Sequence, residues 1–439
     1  MVFAKKIAVL GFVVLLIGGC GSDNETPPPV VPVPEGVPAL PAALITMDAA
    51  EPTARIYISG THACENESLN DGSVEACDGN AGPFASIAAM GAAAPEVVPG
   101  TALVFREGTY AVKSLGLTQT GTAEAPIQIL AYPGEDPVLD GGFYGDPADY
   151  DDRISVIASG EYLVIKGLRF EGCHRTCLLV TGQHVVVADN VFLGGQEDSL
   201  KTSVPNSNVF IARNHFSLPN GIGVNPNGSP EAIDGFQSKG VWVTENEFTD
   251  SDVDQGGWGA IVWFKAGSDG AYFYDNHIHD VRVGAAATIM GGCCFNNWDW
   301  EPNLPVARNV VFDGNVIERV TFASSYRYRG TIMSQGCHGC AARDNTITDC
   351  GAGLSVRNTE ADGEPVPDDV LVSTDVTFEG NEVGVTGTGY LFAVEQENGL
   401  VVDGNTYECN SPTFHYDGQD RTQAEWQSLG FDATSQICP

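Results

Sequence analysis

Beyond residue 20 the chain carries only five lysines, Lys113, Lys166, Lys201, Lys239 and Lys265. Three of them fall between residues 201 and 265, each near carboxylates. The settings are Glu197-Asp198-Ser199-Leu200-Lys201, then Glu231-Ala232-Ile233-Asp234 ahead of Lys239, then Asp250, Asp252 and Asp254 ahead of Ile261-Val262-Trp263-Phe264-Lys265. An amine among carboxylates suits the removal of a weakly acidic proton next to a substrate carboxylate. That reaction needs a base near the proton and positive charge to stabilise the anion that forms. Lys265 follows an apolar run, so its stem can lie on protein, and burial alone lowers a lysine pKa. It is the leading base candidate, with Lys201 second. Asp198, Asp234, Asp250, Asp252 and Asp254 are oxygen donors of the kind Ca²⁺ selects. Arg327 and Arg329, two apart in Tyr326-Arg327-Tyr328-Arg329-Gly330, could clamp a substrate carboxylate bidentately. Trp298 and Trp300 lie in a Cys-bounded aromatic insertion and offer faces for sugar stacking. Each residue also has a plainer reading: a solvated Lys paired with Asp, an ordinary surface carboxylate, a structural ion pair or a packed Trp. His277 and His279 read as structural residues just past a turn.

The elements that must hold these residues are legible as a repeat. The pattern is an apolar residue, two residues, Asn, one residue and a second apolar residue. It occurs around Asn190, Asn214, Asn246, Asn276, Asn315, Asn345, Asn381 and Asn405, at spacings of 24, 32, 30, 39, 30, 36 and 24 residues. An earlier copy, Ile165/Leu168/Phe170, lacks the Asn. Runs such as Val185-Val186-Val187 and Val241-Trp242-Val243 ahead of the Asn are strand-like. The repeat predicts an all-β, right-handed parallel β-helix, a single-chain solenoid of about ten or more coils. Asn tolerates the left-handed backbone a tight bend can demand, and a column of stacked amides would satisfy polar groups inside the turn. Counted back from the Asn column, Lys265 and the 234–237 stretch share one face of adjacent coils, one strand spacing of about 5 Å apart. Lys201 needs a two-residue insertion to join them.

The ends read separately. Lys5 and Lys6 precede an apolar stretch, Ile7 to Ile17, too short to span a bilayer. Ile17-Gly18-Gly19-Cys20 resembles the bacterial lipobox, which implies cleavage before Cys20 and acylation of its thiol. The expected organisation is a signal peptide at 1–19, an acylated Cys20 with a Pro-rich linker at 20–48, an N-terminal cap and first coils at 49–145, the β-helix body at 146–410 and a C-terminal cap at 411–439. Short capping helices are expected over Pro83 to Met90 and Gln423 to Leu429. The N-terminal stretch resembles the first coils of the pectate-lyase-like superfamily, notably at Ala125-Pro126-Ile127-Gln128-Ile129-Leu130-Ala131-Tyr132-Pro133-Gly134 and Leu139-Asp140-Gly141. That resemblance implies a carbohydrate-active protein similar to the calcium-dependent polysaccharide lyases, acting on a uronate-containing glycan with bound Ca²⁺. The alternatives are a glycoside hydrolase using Asp198 and Asp234 as paired carboxylates, and a non-catalytic glycan-binding or structural surface module.

With 57 Asp and Glu against 21 Lys and Arg the net charge is −36, which argues against nucleic acid as a partner. The expected partner is a polysaccharide, with membrane contact through the lipid anchor alone, a monomeric state and a place in the cell envelope. Of the 12 cysteines, Cys64 with Cys77 and Cys173 with Cys177 are spaced for disulfides, and Cys409 with Cys438 is a further pair. Cys293, Cys294, Cys337, Cys340 and Cys350 allow several pairings. Without Cys20 the number is odd, so one thiol is left over.

Overall fold

A computed structural model describes residues 36–144, 151, 153–218, 230–253, 259–292, 307–322, 330–357, 372–386, 389–395, 398–408 and 413–437. Cys20, Asp254, Cys293, Cys294, Trp298, Trp300, Arg327, Arg329, Cys409 and Cys438 lie outside the described residues. The chain is a right-handed parallel β-helix, and among the described residues its strands form three long sheets of 13, 12 and 13 strands. One coil shows the scheme: Gln183–Ala188 lies in sheet 1, Val191–Leu193 in sheet 2 and Asp198–Ser203 in sheet 3, and Ser207–Ala212 re-enters sheet 1.

The Asn column sits at the bend between sheets 1 and 2. Asn214 Oδ1 accepts from the backbone N–H and the amide of Asn190, both at 3.0 Å, and Asn214 Nδ2 donates back to the Val187 carbonyl at 2.9 Å. The same scheme runs through Asn246, Asn276, Asn315, Asn345 and Asn381 to Asn405. Leu168, in the copy that lacks Asn, still donates its N–H to Asn190 Oδ1 at 3.0 Å. The bend itself is made differently from the expectation. The left-handed residue is the one before each Asn, namely Asp189, Arg213, Glu245, Asp275, Gly314, Asp344, Gly380 and Gly404. Each Asn keeps ordinary backbone and contributes its amide alone, which explains why Asp and Gly precede so many of them. Just past the bend, Phe170, Phe192, Phe216 and Phe248 stack face to face at 4.7, 4.8 and 4.9 Å, the spacing of the strands that carry them.

Both ends are closed. Helix α2 (Ile87–Ala93) is capped by Ser86 and buries Met90 at the first coils. At the other end the strand Phe414–Tyr416 turns back antiparallel to Gln419–Arg421, and α3 (Gln423–Ser428), entered through a Thr422/Glu425 capping box, stacks Trp426 on Phe414. Closed ends remove the unpaired strand edges that a solenoid would otherwise expose. Within the segment whose composition reads as linker, residues from Gly36 onward are structured. Helix α1 (Ala42–Asp48) buries Leu44 and Met47 against Val164, Val186, Ala188, Phe210 and Ala212 on the outside of sheet 1. Asp48 fixes it there by ion pairs to Lys166 (3.3 Å) and Arg213 (2.8 Å).

Disulfides join Cys64 to Cys77, Cys173 to Cys177 and Cys337 to Cys340. Among the described residues Cys350 is the free thiol, and burial pushes its pKa up to about 11.

Candidate functional site

Four neighbouring strands of sheet 3 build the site: Thr176–Val180, Asp198–Ser203, Glu231–Phe236 and Ala260–Lys265. Their register aligns Thr176, Asp198 and Glu231 in one row, and Leu179, Lys201, Asp234 and Trp263 in another. Phe236 and Lys265 pair in a third row. Alternation fails between the first two rows, because Ala232 and Ile233 both point into the core, as do Ile261 and Val262. Glu231 and Asp234, three residues apart, therefore lie on the same outer face. The same break lets Lys201 reach Asp198, three residues before it.

Two lysines and three carboxyl groups meet there. Lys201 Nζ lies 3.3 Å from Asp198 Oδ2 and in short contact with Asp234 Oδ2. Lys265 Nζ donates to Glu231 Oε1 at 3.1 Å, lies 3.3 Å from Asp234 Oδ1 and sits 4.5 Å over the Trp263 ring. Thr176 donates to Asp198 Oδ2 at 3.2 Å. The side chain of Asp234 is 0% exposed and that of Lys265 8%, whereas Lys201 keeps 20% and forms the open side of the cluster. Trp263, Ile289, Met333, Ala260 and Ala286 form an apolar patch alongside.

Burial and mutual charge set the protonation states. Burial pulls Lys265 down, but Asp234 and Glu231 outweigh it and raise its pKa. Burial likewise pulls on Lys201, and Asp198 and Asp234 overcome it. The expectation that burial alone would free the Lys265 amine is thus corrected: the carboxylates hold it as ammonium. Burial drives Asp234 up, yet Lys201 and Lys265 bring it below its usual value. Glu231 goes the other way. Burial raises it well above the normal range, Lys265 opposes, and Asp198 and Asp234 push it further up. Two lysines face three carboxyl groups, and this mutual pairing offsets part of the cost of desolvating them.

The structure brings together Asp198, Lys201, Asp234 and Lys265 from the residues singled out in the sequence. Lys201 needs no insertion, since it pairs directly with Asp234. Asp250 and Asp252 are not part of the cluster. They lie by sheet 2, where Asp252 and Arg282 pair at 3.2 Å beside a groove that Asp280 and Arg319 also line. They fall elsewhere because coil position follows strand pairing, not nearness along the chain. Glu231 is the functional candidate that sequence reasoning passed over. Its signal, a register match with Asp198, is visible only once the strands are paired. One oxygen each from Asp198, Glu231 and Asp234 falls within 4.8 Å of the other two, a set of donors of the kind Ca²⁺ selects, although Lys201 and Lys265 engage the same three carboxyl groups.

No protein-family model matches the sequence, and no curated protein matches it. Among solved structures, the chain is similar to an alginate lyase from Paenibacillus sp. str. FPU-7 at 18% identity and a TM-score of 0.47, over 75% of this chain and 95% of that one. It is similar to an endo-xylogalacturonan hydrolase from Aspergillus tubingensis at 12% identity and a TM-score of 0.44, over 88% and 93%. A surface adhesin of Streptococcus pneumoniae aligns at 12% identity and a TM-score of 0.44, over 76% and 84%. These likenesses concern the fold.

Proposed function

We propose that this protein is a carbohydrate-active β-helix enzyme that cleaves a uronate-containing polysaccharide by β-elimination. The observation that carries the reading is the meeting of Lys201 and Lys265 with Asp198, Glu231 and Asp234 on one outer face of adjacent coils. Lys201, the more exposed amine and strongly held as ammonium, binds the uronate carboxylate and stabilises the charge that develops there. Lys265 is the proton acceptor. Burial lowers its pKa and Asp234 and Glu231 raise it, so a cation or substrate that engaged those carboxylates would lower it again and favour the free amine. A Ca²⁺ held by Asp198, Glu231 and Asp234 would supply positive charge toward the substrate carboxylate. Arg327 and Arg329 are assigned as a further carboxylate clamp, and Trp298 and Trp300 as stacking surfaces for sugar rings. Cys20 is assigned as the acylated residue that anchors a monomeric protein in the cell envelope, a placement that loss of fatty-acid labelling in Cys20→Ala would bear out.

A second reading has its own observation. Burial and the neighbouring Asp198 and Asp234 raise the Glu231 pKa, and its side chain hydrogen-bonds Asp198, the kind of environment that keeps a carboxyl available as the general acid of a glycoside hydrolase. One experiment separates the two. Purified protein is incubated with polygalacturonate, alginate and glycosaminoglycans, with Ca²⁺ or with chelator, and both unsaturated-product absorbance and new reducing ends are followed. The lyase reading expects both signals together, falling by about 100-fold or more in Lys265→Ala. Reducing ends without absorbance, lost in Glu231→Gln, would establish the hydrolase instead. No product from any glycan would overturn both and leave a binding module.

A further inference from the structure

The outer face of sheet 2 carries another constellation, which the proposed reaction does not use. Glu247 (strand Glu247–Thr249) pairs in register with His277 (strand His277–Val283), and His215 stands next to Glu247 on the preceding coil. His277 and His279 flank Ile278, whose side chain enters the core, so both imidazoles project outward from one rigid strand, with ring centroids 4.3 Å apart. His279 Nε2 lies 3.1 Å from Glu247 Oε1, and its Nδ1 lies 2.7 Å from Asp280 Oδ2. His277 Nε2 lies 3.2 Å from Glu318 Oε1, and His215 Nδ1 lies 2.8 Å from Glu247 Oε2. One donor atom each from Glu247, His277 and His279 falls within 4.8 Å of the other two.

We propose that Glu247, His277 and His279 form a binding site for a divalent transition-metal ion of the Zn²⁺ class. Two imidazoles and one carboxylate are a donor set that selects Zn²⁺ over Ca²⁺ or Mg²⁺, and three protein ligands leave a position for water. The surroundings supply what such ligands require. Asp280 engages the ring nitrogen of His279 that Glu247 does not, Glu318 engages one nitrogen of His277, and His215 holds the second oxygen of Glu247. Carboxylates behind metal-binding imidazoles orient the rings and raise their basicity. Arg319 in turn pairs with Asp280 and Glu318 at 2.7 Å each, which fixes both carboxylates in place. The all-oxygen cluster of sheet 3 and this site therefore differ in the metal their donors suit.

The test is a calorimetric titration of the full chain with ZnCl₂ in metal-stripped buffer containing excess Ca²⁺, which competes for the oxygen cluster. A single tight Zn²⁺ equivalent is expected, weakened by about tenfold to a hundredfold or more in His277→Ala and in His279→Ala. It should be unchanged in Asp234→Asn. Cobalt substitution should give visible d–d bands that the double variant H277A/H279A lacks. Zn²⁺ binding that is equal in wild type and the double variant, or absent from wild type, would overturn the site. Both side chains lie outside the core and Ile278 remains, so the variants keep their fold, which thermal melting checks.

Discussion

Five ionisable side chains share a patch on sheet 3, and their protonation is a joint property. Lys265 only partly offsets burial and the acidic neighbours Asp198 and Asp234, which together oppose a negative charge on Glu231. Its raised pKa means that the folded state holds a proton the unfolded state gives up near 4.5, so this group weakens stability as pH rises from there toward its folded value. Glu231→Gln, which imitates the protonated form, is therefore expected to stabilise the Ca²⁺-free protein at pH 7. The gain should vanish below pH 4, as read by denaturant melts across pH. Asp234 behaves oppositely. Its lowered pKa gives stability that is present above its ordinary value of 3.8 and is lost as the pH falls through the folded value. Asp234→Asn should therefore destabilise at pH 7 and lose its effect in strong acid.

At the scale of the element, the Asn column and the phenylalanine stack set the alignment of one coil on the next. Asn276 Oδ1 accepts from the Asn246 backbone N–H at 3.0 Å and from its amide at 2.9 Å, while its Nδ2 donates to Val243 at 3.0 Å. Asn276→Ala would strand several buried polar groups at about 1–3 kcal/mol each, so a loss of roughly 3 kcal/mol or more is expected in equilibrium unfolding. Asn276→Asp would fare little better, because the carboxylate cannot donate to Val243. Phe216→Ala, which opens the middle of the aromatic stack, should cost about 3–5 kcal/mol. These ladders were readable as a repeat because each contributes the same residue type at the same phase. The left-handed turn residue was not, because Asp, Glu, Arg and Gly all serve there and only the backbone shows which position bears the positive φ.

For the whole molecule, a net charge of −36 leaves carboxylates in excess of the cations that could pair with them. Asp313 shows the strain: burial, with Asp344 on the next coil adding to it, pushes its pKa up to about 6. Self-repulsion of this kind is screened by salt. Raising NaCl from low to physiological concentration should increase the melting temperature at pH 7.5 by several degrees in calorimetry. The effect should shrink at pH 5, where part of the repulsion is already titrated away.

The sequence by itself determined the solenoid, because a period that recurs with inward apolar residues and an inward amide leaves no other way to bury them. It also located the central lysines and their acidic neighbours, and it set Cys64 with Cys77 and Cys173 with Cys177. It could not say which carboxylates join which amine. Coils of 24 to 39 residues differ by loops inserted between strands, so distance along the chain does not give position around the coil. Strand pairing put Glu231 beside Asp198 and joined Lys201 to Asp234, while it carried Asp250 and Asp252 to another sheet. It also turned His277 and His279 from turn residues into neighbours of Glu247. Whether Lys265 is an amine or an ammonium was likewise decided in three dimensions, since burial and neighbouring charge act on it with opposite sign and only the packed cluster shows which prevails.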